Sequence, residues 1–65
     1  MKTPLENAII ELWHISRTAL AGMSSVPSRS DRMAYVKREL IRTYPLLIEG
    51  LSPKKLWFAI EDTLN

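Results

Sequence analysis

Thr3-Pro4-Leu5-Glu6-Asn7-Ala8-Ile9-Ile10-Glu11-Leu12-Trp13 opens the first periodic segment of the chain, and its reading decides the fold class. Thr3 supplies a capping hydroxyl. Pro4 takes the first helical position, where its missing N–H costs nothing. Glu6 stands three residues after the cap, the spacing of a capping box. With successive residues about 100° apart, one arc of about 160° collects Leu5, Ala8, Ile9, Leu12, Trp13, Ile15, Ser16, Ala19, Leu20 and Met23. Glu6, Asn7, Glu11, His14, Arg17 and Thr18 take the other side, with Ile10 stranded among them. Gly22 marks the expected end, because glycine is favoured just past a helix.

Two further helices follow from the same logic. The run Ser24-Ser25-Val26-Pro27-Ser28-Arg29-Ser30 is a loop by composition. Ser28 or Ser30 can cap a second helix running from about Ser30 to Tyr44, and Ser28 has Asp31 three residues on. Pro45 disfavours helical backbone at Tyr44. Met33, Ala34, Val36, Leu40, Ile41 and Tyr44 share one face, with Lys37 inside that stripe and its charge carried to the edge. Arg32, Tyr35, Arg38, Glu39 and Arg42 take the opposite face. Residues 45–50 suit either a single helical turn or an apolar loop. Ser52-Pro53 then caps and starts a third helix, where Leu51 can staple onto Leu56. Leu56, Trp57, Ala59, Ile60 and Leu64 make its core stripe. Phe58 points the other way, between Lys54 and Lys55 on one side and Glu61 and Asp62 on the other.

These elements imply one all-α domain over residues 1–65, a small three-helix bundle with room for an extra turn at residues 45–50. With 65 residues, the chain holds one core at most. It contains no cysteine, so it forms no disulfide framework, and one histidine alone makes a structural metal site unexpected. Its longest apolar run, Leu56 to Ile60, has five residues, far short of the roughly 20 a membrane span needs. The start lacks the layout of a secretion signal, which sets the cytoplasm as the expected compartment.

Groups able to carry catalysis are missing in combination. His14 falls on the polar side of the first helix, within reach of Glu11 for an ion pair. Glu61 and Asp62 are adjacent, so their side chains diverge on a helix and share no proton. Gly22 and Gly50 are the only glycines, so no phosphate-binding loop exists. The expectation is a chain without enzymatic activity, cofactor or metal.

Charge placement is more informative. The formal net charge is +2, and the excess lies wholly in the second helix and the loop before it. Arg32, Arg38 and Arg42 with Tyr35 form a face suited to an acidic protein surface or to phosphate. A solvated face is the plain alternative. Lys54 and Lys55 stand at the positive end of the third helix, and Glu61 and Asp62 near its negative end, the reverse of what the helix dipole favours. The lysines suit acids on a neighbouring helix or subunit or, with the free amides there, an anion.

Gly50-Leu51-Ser52 followed by Leu56 resembles the turn of a DNA-binding helix-turn-helix over about 20 residues. The likeness breaks at Pro45 and Glu49, and the second helix would present Trp57 and Phe58 instead of polar base readers. The leading expectation is a non-catalytic regulator or adaptor that binds a protein partner, alone or as a homo-oligomer. Ile10, Trp57 and Phe58 are its expected apolar contacts, and Arg32, Tyr35, Arg38 and Arg42 its polar ones. The alternatives are a nucleic-acid-binding regulator using Arg38, Arg42, Lys54 and Lys55, and a structural subunit of a larger assembly.

Overall fold

Hydroxyl caps set where the helices begin. In the first helix, α1 (Pro4–Ala19), Thr3 Oγ1 accepts from the Glu6 N–H at 3.1 Å, and the Thr3 N–H donates to Glu6 Oε1 at 3.1 Å. The second, α2 (Arg29–Thr43), repeats the device. Ser28 Oγ accepts from the Asp31 N–H at 3.1 Å, and the Ser28 N–H donates to Asp31 Oδ2 at 3.4 Å. Ser28, not Ser30, is therefore the cap, and α2 starts one residue before the expected point. The third, α3 (Pro53–Leu64), is capped by Ser52, whose Oγ accepts from the Lys55 N–H at 3.2 Å. The computed structural model describes residues 2–22 and 26–65.

The helix ends have separate causes. Pro45 forces Tyr44 out of helical geometry, to φ −125° and ψ 53°. Pro45–Ile48 then form the single extra turn, of the 3₁₀ type. Gly50 reverses the chain toward α3 at φ 85°, a left-handed conformation that glycine adopts without strain. Gly22 plays no such part. α1 stops at Ala19, three residues before the glycine, and Leu20 caps it with an N–H donated back to Ser16 O.

All three helices contribute to one core. Ala8, Ile9 and Leu12 come from α1, Met33, Val36 and Leu40 from α2, and Leu56 and Ile60 from α3. Leu47 and Ile48 of the turn pack against them, as do Leu51, Trp57 and Leu64. The chain is thus an all-α bundle of three helices, with no strand among the described residues. None of these helices is long and apolar enough to cross a membrane.

The buried stripes are narrower than the apolar arcs of the sequence. Ile15 and Ala19 on α1, and Ala34 and Ile41 on α2, face solvent. Helices in a bundle this small meet along thin seams, so residues at the margin of a wide arc lose cover. Ile10 errs the other way: expected on the polar side, it is half-buried. Met23, also placed on the α1 arc, lies outside the described residues.

The α1 cap responds to pH. The hydrogen bond from the Thr3 backbone, and then that with its side chain, hold the Glu6 carboxyl below the usual carboxylate range. A carboxyl with a lowered folded-state pKa stabilises the fold while ionised, and the gain is lost as pH falls through that folded value. We expect thermal melts followed by far-UV circular dichroism to show a stability drop on acidification that is smaller in Glu6→Gln than in the wild type. Equal acid slopes in the two proteins would contradict the assignment.

Candidate interaction surface

The arginines of α2 divide into two groups with different partners. Arg32 stands at the edge of the helix, about 80° round from the core residues, and its side chain turns back onto α1. Its guanidinium carbon lies 3.8 Å from the centroid of the Trp13 ring. Nε donates to Ser16 Oγ at 2.9 Å, and Nη2 donates to Trp13 O at 2.7 Å. Ser16 is fully buried, and its hydroxyl donates in turn to Trp13 O at 2.6 Å. Arg29 joins from the start of α2, 5.8 Å from the same ring, and donates to Asn65 Oδ1 at 2.7 Å. One tryptophan therefore gathers two guanidinium groups and ties α1, α2 and the end of α3 together.

This cluster corrects the sequence reading of Arg32 as part of an exposed face. The residue is half-buried, and its fork is committed within the fold. An edge position let so long a side chain reach either way, and a stacking ring with two oxygen acceptors decided the direction. The signal available in the sequence was Ser16, a polar residue inside the apolar arc of α1. A buried hydroxyl must find partners, and no buried side-chain polar atom among the described residues lacks one.

Arg38 and Arg42 form the second group. Their side chains are 70% and 78% exposed, and both approach the single carboxylate of Glu39, at 3.8 and 3.7 Å. Arg38 also lies 5.5 Å from the Tyr35 ring centroid. Pairs at such distances and exposures are worth a few tenths of a kcal/mol, up to about 1, too little to hold either side chain in place. Tyr35, Arg38 and Arg42 are thus brought together on the outer surface of α2, with more positive charge than Glu39 neutralises.

The third helix carries a different surface. Phe58 is 50% exposed, and it sits opposite Leu56 and Ile60 on α3. Of the nearby turn, Leu47 and Ile48 join the core, while Leu46 is 82% exposed. Trp57 packs against the core and is half-buried, as is Ile10, so each leaves only part of its side chain at the surface. Lys54, Lys55 and Asp62 are exposed and Glu61 is half-buried, and none of the four forms an ion pair with another described residue. Each charge at the wrong end of the helix dipole costs tenths of a kcal/mol, up to about 1.

His14 and Glu11 are both exposed and form no ion pair with each other. Among the described residues no group of three or more histidines or acids is placed to hold a metal ion. No family model, curated protein or solved structure matches the chain.

Proposed function

We propose that this chain is a small non-catalytic interaction protein, a regulator or adaptor, that binds an acidic surface of a protein partner through the outer face of α2. The observation that carries this reading is the pairing of two exposed guanidinium groups with one intervening carboxylate beside an aromatic ring. Planar guanidinium forks recognise carboxylates in two-pronged fashion, and the Tyr35 ring lies beneath one of them at 5.5 Å. The apolar neighbour Ile41, half-exposed on the same helix, offers contact area next to the charge.

The nucleic-acid alternative gains no further charge from Arg29 and Arg32, which are engaged at Trp13. Arg38, Arg42, Lys54 and Lys55 remain, a small set for binding that rests on phosphate neutralisation.

The test is capture from native lysate with immobilised protein, with and without nuclease, using the wild type and the double variant Arg38→Ala/Arg42→Ala. A protein retained after nuclease and lost with the double variant is the expected result. Bound material that vanishes on nuclease treatment would favour the nucleic-acid alternative. Capture unchanged by the double variant would remove the α2 face from the reading.

A further inference from the structure

The exposed face of α3 has an order that its own fold does not use. With residues about 100° apart, Lys54, Lys55, Phe58, Glu61 and Asp62 fall in an arc of about 120° centred on Phe58. That arc lies diametrically opposite the buried Leu56 and Ile60. Along the axis the charges are inverted about the same residue: two lysines before it, two acids after it, at matched distances of three and four positions. None of these charges is paired with another described residue, and all four stand at the end of the helix where its dipole opposes them. An aromatic ring half-exposed at the centre of this pattern is the remaining piece.

We propose that α3 is the interface of a homodimer, in which a second copy packs its α3 antiparallel across a two-fold axis at Phe58. The operation stacks the two Phe58 rings on the axis. It reverses the chain direction, so the lysine end of one helix lies over the acidic end of the other. The lateral offsets of the side chains then set Lys54 beside Glu61 of the second copy and Lys55 beside its Asp62. Four ion pairs form from charges that the single chain leaves unpaired. A parallel arrangement would instead set lysine against lysine, so the sequence selects one orientation. A two-fold interface must be self-complementary, and a charge pattern inverted about its own centre meets that condition. The antiparallel alignment also places each lysine pair near the negative end of the neighbouring helix. One helix face is a small interface, so the dimer belongs to the weak class of contacts.

This inference concerns α3 and stands apart from the α2 reading. Sedimentation equilibrium of the wild type, up to about 1 mM, is expected to show a monomer–dimer equilibrium. Phe58→Asp is expected to weaken it by about tenfold or more. Two charge-reversed proteins provide the sharper test: Lys54→Glu/Lys55→Glu, and Glu61→Lys/Asp62→Lys. Each places its charges where the helix dipole favours them, so each is expected to melt no lower than the wild type. Each alone is expected to be monomeric, and an equimolar mixture to form a one-to-one heterodimer. The same mixture with Phe58→Asp in both chains is expected to stay monomeric. A wild type that is monomeric throughout, a mixture that fails to pair, or pairing that survives Phe58→Asp would each overturn the proposal. Arg38→Ala/Arg42→Ala leaves the dimer unchanged, so failure of one reading is separable from failure of the other.

Discussion

Arg32→Ala is expected to destabilise the fold by about 2 kcal/mol, although most arginine truncations on helix surfaces change little. The side chain gives up a stack on Trp13 at 3.8 Å and two hydrogen bonds to α1. A partly desolvated cation–π contact is worth about 0.5–2 kcal/mol, and charged hydrogen bonds about 1.5–3 each, less where water competes. The change also strips an acceptor bond from buried Ser16. In a domain of this size the melting temperature should fall on the order of 10 °C. Arg32→Lys should recover only part of the loss, because an ammonium group neither stacks flat on indole nor reaches two acceptors as a rigid fork. Calorimetry of the three proteins checks this. A melting point in Arg32→Ala within error of the wild type would show that the cluster holds nothing together. Arg38→Ala, taken from the exposed group, should shift the melt by no more than a fraction of that amount.

Leu40→Ala should have a larger effect still. Leu40 is fully buried, and it belongs to the core shared by all three helices. Truncation removes about three carbon atoms' worth of burial and leaves a cavity, for a cost of about 3 kcal/mol. A chain of 65 residues holds roughly 3–10 kcal/mol in total. At about 4–8 °C per kcal/mol for a domain of this size, the variant should therefore melt roughly 12–24 °C below the wild type. The neighbouring Ile41→Ala is the internal comparison. Ile41 is about half-exposed, and its truncation is expected to cost less than about 1 kcal/mol. Chemical denaturation of both proteins measures the contrast, and similar losses in the two would mean that the core is not where the structure places it.

The two classes of residue have opposite consequences for function. Leu40 and Arg32 hold the helices in register, so their loss would remove every surface at once. Phe58, Arg38 and Arg42 lie outside that framework. Changing them should alter association while leaving the helical signal intact. That separation is what makes the surfaces of α2 and α3 accessible to experiment in so small a protein. Exposed Leu46, on the turn between these helices, contributes a further apolar group for which the fold has no cover.

Much of the local structure was determined by short-range chemistry and was legible in the sequence. Thr3, Ser28 and Ser52 each bond an amide three residues ahead, and Pro45 ends α2 through its own ring; neither effect needs a distant partner. Gly22 misled because α1 ended by a turn that bonds back to Ser16 and needs no left-handed glycine. The outward placement of Phe58 was also readable, since helical periodicity alone sets it opposite Leu56 and Ile60. Tertiary structure decided the rest. Which margins of each apolar arc are covered depends on how neighbouring helices cross, which no single helix specifies; hence Ile15 and Ile41 are exposed and Ile10 is half-buried. The direction taken by Arg32 depended on a ring and two oxygens 16 and 19 residues away. A long flexible side chain at a helix edge has both solvent and protein within reach, and only the assembled bundle shows which offers the better partners.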